Sequence, residues 1–217
     1  MTQEDFAQQR EQMVETQLKS RDIQSERVLE AMKKVPRHLF MPESVRQYAY
    51  IDSPVSIGQG QTISQPYIVG LMTQTVDPQP GDRALEVGTG SGYQAAVLGE
   101  LVQEVYTIEI IPDLAERAEK ALAESGFDNV EVRQGDGYQG WPEKAPFDII
   151  LITAAPEEIP QPLIDQLAEG GRLVVPLGAE GTIQTLTLVT KVKGEVKRTY
   201  VTDVRFVPMT GEVQQFR

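Results

Sequence analysis

The chain has 217 residues, a formal net charge of -12, one histidine and no cysteine. That length suits one α/β domain with a sizeable core, and the negative charge disfavours phosphate backbones, so nucleic acid is not an expected partner. Without cysteine there are no disulfides, thiolate nucleophiles or thiolate metal sites, and a single histidine argues against an imidazole metal centre.

The first residues, 1–10, are polar, and no run approaches eighteen apolar residues. A soluble, cytoplasmic protein with no membrane partner is the expectation, and a monomer is expected. From Glu4 to Lys19, Phe6, Met13, Val14 and Leu18 fall near helical spacing, which predicts an amphipathic helix. A second helix is predicted from Ser25, a good N-cap, to Lys34, with Val28, Leu29 and Met32 inward. His38 follows in a proline-broken apolar stretch, where a structural role is favoured over a catalytic one.

The segment from Asp52 to Gln65 reads as an extended polar loop, dense in hydroxyls and amides. Pro66 then opens a helix with Ile68, Leu71, Met72 and Thr75 as its inner face. On residue chemistry alone, Ser64 and Gln65 are equally readable as caps of that helix or as groups that bind something polar.

Arg83 to Val87 is an apolar run with Glu86 near its end, closing on Gly88, Thr89, Gly90, Ser91 and Gly92 before the helix that starts at Tyr93. Strand, tight turn and helix in that order form a nucleotide-binding corner. The dinucleotide fingerprint Gly-x-Gly-x-x-Gly would place a small residue where Tyr93 stands. A carboxylate two residues before the first glycine suits a ligand with a cationic amine. The pattern resembles motif I of the S-adenosylmethionine-dependent methyltransferases.

Beyond it, Glu104 to Ile110 is a strand carrying Glu109, and Pro112 opens a helix closed by Gly126. Val130 to Arg133 leads to Gly135, Asp136 and Gly137, and Phe147 to Thr153 is an apolar strand ending in Ala154 and Ala155. A short helix is predicted from Pro162 to Ala168 and a strand from Arg172 to Leu177. Thr182 to Lys193 and Val196 to Val207, rich in Thr and Val, read as an antiparallel hairpin. The expected fold is α/β and Rossmann-like, a mostly parallel seven-strand sheet with a C-terminal antiparallel hairpin and an N-terminal helical extension. It is one domain: helices and loop over 1–78, a cofactor-binding core over 79–178, and hairpin with tail over 179–217.

In such a sheet the ligand lies over the carboxyl ends of the strands. Those ends carry Glu86 and the glycines, Glu109, and Asp136 with Gly137. Glu109 stands twenty-one residues after Gly88, the spacing of an acid that takes ribose hydroxyls. Asp136 is suited to an adenine amino group, and Glu86 to the ammonium of a methionine moiety. Residue chemistry alone stops at an S-adenosylmethionine-binding enzyme, with a nicotinamide oxidoreductase and a non-catalytic binding module as other readings.

The loop Gln61, Thr62, Ile63, Ser64, Gln65, Pro66 in front of the glycine corner carries the sequence further. Together with Val35 to Phe40, Gly135 to Gly137, Pro146 to Ile152, Gly170 to Pro176 and Phe206 to Thr210, it resembles the protein-L-isoaspartate O-methyltransferase family. The resemblance implies methyl transfer from S-adenosylmethionine to the free α-carboxylate of L-isoaspartyl residues, initiating repair through a succinimide, with S-adenosylhomocysteine as the other product. Isoaspartyl peptides and proteins are then the partners, and a methyltransferase for another acceptor is the alternative. By motif position, the resemblance gives Ser64 the active-site role. It places Gln61, Thr62 and Ile63 in the same substrate-binding loop and Thr210 with Gln215 at C-terminal positions that line the cofactor and substrate cleft, and no metal is implied.

Overall fold

The computed structural model describes residues 2–216, with side chains described through 214. Its centre is a seven-stranded sheet built from β3 (Arg83–Val87), β4 (Glu104–Glu109), β5 (Val130–Gln134), β6 (Phe147–Ile152), β7 (Leu167–Leu177), β8 (Gln184–Val192) and β9 (Glu195–Val204). The strand order is β5-β4-β3-β6-β7-β8-β9. The first five in this order are parallel, whereas β8 runs antiparallel to both its neighbours. This order settles a point the residues left open: β8 lies beside β7, and β9 takes the edge.

Successive residues of each strand face opposite sides. Ala84, Val105, Ile149 and Leu151 join one core, while Leu85, Val87, Tyr106, Ile150 and Ile152 join the other. The first core is roofed by α1 (Gln3–Met13), α2 (Glu26–Lys34) and α3 (Pro66–Thr75), with α4 (Tyr93–Gly99) beneath the same layer. On the other side of the sheet, Trp141 and Leu163 of α6 (Gln161–Gln166) pack against β6 and β7. The helix α5 (Pro112–Glu124) completes the β4 to β5 crossover, and Gly126 at φ 79° follows its end.

Several boundaries differ from expectation. The first helix does not run uniformly to Lys19: from Val14 to Lys19 it widens to i→i+5 turns, and the Thr16 hydroxyl donates to the Gln12 carbonyl there. The loop from Asp52 to Gln65 contains a small antiparallel hairpin, β1 (Val55–Gly58) with β2 (Gln61–Ile63), turning at Gln59 and Gly60, both at positive φ. Such short strands leave little alternation to read. On α3 the buried residues are Pro66, Val69, Gly70, Leu71, Met72 and Thr73, with Ile68 and Thr75 only half-buried. The helix expected over Pro162 to Ala168 stops at Gln166, because Leu167 already pairs with Phe147 and starts β7. The last hairpin turns at Lys193 and Gly194, both left-handed, so Glu195 belongs to β9.

His38 is buried in the N-terminal layer. It stacks on Phe6 at 4.0 Å between ring centroids and hydrogen-bonds Tyr50 Oη at 2.9 Å. Burial, with Arg10 and Arg46 nearby, holds the imidazole down to about 4, so it is neutral at physiological pH. Its role is packing. Among the described residues no helix is long and apolar enough to cross a membrane.

Gly70 sits inside α3, where an added Cβ would rest 3.5–3.6 Å from Met32, Ile23 and Leu18. That is ordinary contact, so Gly70→Ala gains helix propensity without a clash. The variant should be about 0.5–1 kcal/mol more stable, measured as a higher midpoint in urea, and a lower midpoint would show that the layer has no room.

Candidate active site

The carboxyl ends of β3, β4 and β6 meet at the switch point of the sheet, between β3 and β6. Gly88, immediately after β3, has φ 97°, and a side chain there would collide with the Thr153 hydroxyl. That hydroxyl donates to the Gly88 carbonyl at 2.5 Å and lies 3.1 Å from that of Val87. Gly92, at φ 85°, packs so closely on Ala118 that a Cβ would lie 3.2 Å from that residue's own. Glycine is needed at both positions, because the turn must pass between the sheet and α5.

Three compartments beside this turn share Thr153 in their lining. The first lies over β4 and contains Gly88, Gly90, Glu109, Ile111, Gly137 and the tail residues Val207 to Thr210. The second, an open cleft of about 610 Å³, is lined by Pro54, Thr62, Ser64, Ile68, Asp203 and Arg205 among others. The third is a small inner chamber containing Ile63, Ser64, Glu86, Thr89, Ser91 and Gln94. Successive residues of the loop thus face different spaces: Gln61 the first, Thr62 the second, Ile63 the third. Ser64 borders both the open cleft and the inner chamber.

Glu86 points to the side of the sheet roofed by the N-terminal layer and is fully buried. Its Oε2 is hydrogen-bonded to the Thr107 hydroxyl at 2.5 Å, which in turn meets the Thr89 hydroxyl at 2.6 Å. Oε1 has no partner. Burial pushes this carboxyl up to about 8, against the Thr107 hydrogen bond and with a small further rise from Glu109, so it is mostly protonated at neutral pH. Glu109, one register step beyond Thr107 on the same face, accepts the Gly90 N–H at 2.7 Å and the Ile111 N–H at 2.9 Å.

Asp136 is held by the chain's own backbone. It does not line the first compartment: Oδ1 accepts the Tyr138 N–H at 2.9 Å and Oδ2 the Glu212 N–H at 2.6 Å, fastening the tail to the end of β5. Gly211 approaches so closely that a side chain would strike this carboxylate. Gly137, beside it, does line the compartment. Gln61 and Thr210 lie with Glu109 in the first compartment, and Ile63 turns inward at 3% exposure. The side chain of Gln215 lies outside the described residues. Sequence reasoning missed Thr153, Asp203 and Arg205. For Thr153 the available signal was its position at the end of the strand beside β3.

A Rossmann-like sheet, a glycine turn at the switch point and acids at the ends of β3 and β4 define the class: the fold is that of an S-adenosylmethionine-dependent methyltransferase. The comparisons narrow it. Residues 8–214 match the protein-L-isoaspartate(D-aspartate) O-methyltransferase family, and the chain belongs to that family. Protein-L-isoaspartate O-methyltransferase of Gloeobacter violaceus is 55% identical over 203 residues, covering 94% of this chain and 99% of that one. The Opitutus terrae protein of the same name is 57% identical over 204 residues, covering 94% and 88%. Among solved structures, a protein-L-isoaspartate O-methyltransferase superposes with a TM-score of 0.87 at 31% identity, covering 94% of this chain and 67% of that one. A Plasmodium falciparum relative solved with S-adenosyl-L-homocysteine gives a TM-score of 0.81 at 29% identity, covering 93% and 98%.

The buried carboxyl sets a pH signature. Folded Glu86 keeps its proton up to about pH 8, whereas an unfolded carboxyl releases it near 4. Between these values the unfolded state binds fewer protons, so this group makes stability fall as pH rises. Glu86→Gln cannot titrate and removes that slope. Its stability relative to wild type should therefore be greater at pH 8 than at pH 5 in urea melts, and a constant difference would show that Glu86 ionises normally.

Proposed function

We propose that the family's reaction, methyl transfer from S-adenosylmethionine to the free α-carboxylate of an L-isoaspartyl residue, takes place where the three compartments meet at Thr153. The observation that carries this reading is Ser64, which borders both the open cleft and the chamber holding Glu86. It stands where an acceptor entering from solvent would meet a donor lying along the glycine turn.

The residues fit that donor. Glu86 Oε1 is a buried carboxyl oxygen without a partner among the described residues, in a chamber beside the turn, where a cation arriving next to it would favour the ionised form, and Gly90 has no atom nearer than 4.0 Å to the position a Cβ would take. Glu86 is suited to the ammonium end, approached past Gly88, Thr89 and Ser91. Glu109 and Gly137 are suited to the ribose and base end, with Gly92 shaping the turn and Asp136 holding the tail that walls this end. The cofactor supplies an electrophilic methyl group on a sulfonium, and the chain supplies alignment.

An α-carboxylate is ionised at neutral pH, so the acceptor needs no strong base, and His38 is buried away in the N-terminal layer. Anion and cation combine into neutral products, so partial exclusion of water favours the step. The Ser64 hydroxyl can donate to one carboxylate oxygen and leave the other directed at the methyl group, a proximity effect. Thr62 and Ile68 would flank the peptide, and Arg205 places a cation beside an anionic acceptor in a chain of net charge -12. Isoaspartyl-containing peptides and proteins are the proposed partners.

The direct test is label transfer from S-adenosylmethionine to a peptide pair differing only in L-isoaspartate against L-aspartate. Base-labile label should appear on the isoaspartyl peptide alone. Ser64→Ala should lower kcat roughly 10- to 100-fold, the worth of a hydrogen bond to a charged group, with S-adenosylhomocysteine affinity kept. Equal labelling of both peptides, or full activity in Ser64→Ala, would overturn the acceptor or the serine role respectively. For Glu109→Ala, calorimetric titration with S-adenosylhomocysteine should show affinity reduced by about tenfold or more, and an unchanged Kd would remove Glu109 from the site.

A further inference from the structure

Arg37 is fully buried, and no carboxylate pairs with it among the described residues. An unpaired internal cation is costly, so its contacts bear on why it is there. Nε donates to the Ala49 carbonyl at 2.6 Å and Nη2 to the Ser64 carbonyl at 2.7 Å, while Nη1 has no partner among the described residues. The guanidinium lies over the Tyr93 ring, 4.9 Å from its centroid.

These three contacts have a common geometry. Ala49 and Ser64 are the two ends of the segment carrying the β1–β2 hairpin, so one guanidinium fork closes the base of that loop. Tyr93 follows Gly92 directly and is the first residue of α4. The Ser64 carbonyl has no place in the α3 ladder, where the Gln65 carbonyl accepts from Ile68 and Val69. A planar group with donors on adjacent corners can bridge both carbonyls and still lie flat on an aromatic ring, which an ammonium cannot do.

We propose that Arg37 is a positioning residue for methyl transfer, clamping the Ser64 peptide to the start of the helix that follows the glycine turn. It touches neither substrate nor cofactor, and it acts by fixing where the Ser64 hydroxyl stands relative to the turn. The inference rests on the role given to Ser64 above.

The test is a double-mutant cycle of Arg37→Met and Ser64→Ala, read as kcat per S-adenosylhomocysteine-binding site, with isoaspartyl peptide as acceptor. Arg37→Met alone should lower kcat at least tenfold while the Kd for S-adenosylhomocysteine stays within threefold. In the Ser64→Ala background the same substitution should change kcat by less than threefold, since the hydroxyl it positions is gone. Arg37→Lys, which keeps the charge and loses the fork, should lie between wild type and Arg37→Met. Equal losses in both backgrounds would mean a merely structural arginine and overturn the proposal, as would full activity in Arg37→Met. If Ser64→Ala alone is fully active, the serine assignment fails first, and the single variant identifies that failure. Should Arg37→Met not melt cooperatively, Arg37→Lys carries the same cycle.

Discussion

The hydrogen bond from Thr153 to the Gly88 carbonyl joins the ends of the two central strands, and the surrounding site depends on it. Parallel strands diverge where the chain order reverses, which is why ligands settle there. Here the divergence is bridged on the backbone side of the glycine turn, leaving the ligand side of the same turn free. A turn held this way can present N–H groups with little reorganisation, the property most useful when catalysis consists mainly of alignment.

The environment of Glu86 follows from strand geometry. Alternation along β3 sends Ala84 and Glu86 to one face and Leu85 and Val87 to the other. The helices of the N-terminal extension roof the first of these faces. Removing water above the acid raises its proton affinity, and the Thr107 hydroxyl, itself bonded to that of Thr89, occupies one of its oxygens. The extension is therefore part of the site's electrostatics as well as of the core.

Much of this was legible in the residues. Apolar runs buried on both faces, proline at helix starts and glycine after helix ends placed β3 to β7 and the helices between them within a few residues. The acids at the ends of β3 and β4 could be read from their distance to the glycines. The roles of Asp136 and Arg37 could not, because both depend on partners distant in sequence: Glu212 for one, Ala49 and Ser64 for the other. The β1–β2 hairpin escaped notice for a local reason, since strands of four and three residues turning at Gln59 and Gly60 lack the usual Asn-Gly signal. The family resemblance located Ser64 where residue chemistry was evenly balanced between cap and site.

The tail gives the cleft two unequal doors. Residues Val207 to Thr210 wall the compartment of Glu109, tied down through Ala155 and Asp136, while the side of Thr62 and Asp203 stands open. The two ends of the site thus have walls of different origin: chain backbone held by the hydrogen bonds of Ala155 and Asp136 on one side, side chains of the polar loop and of Asp203 and Arg205 on the other.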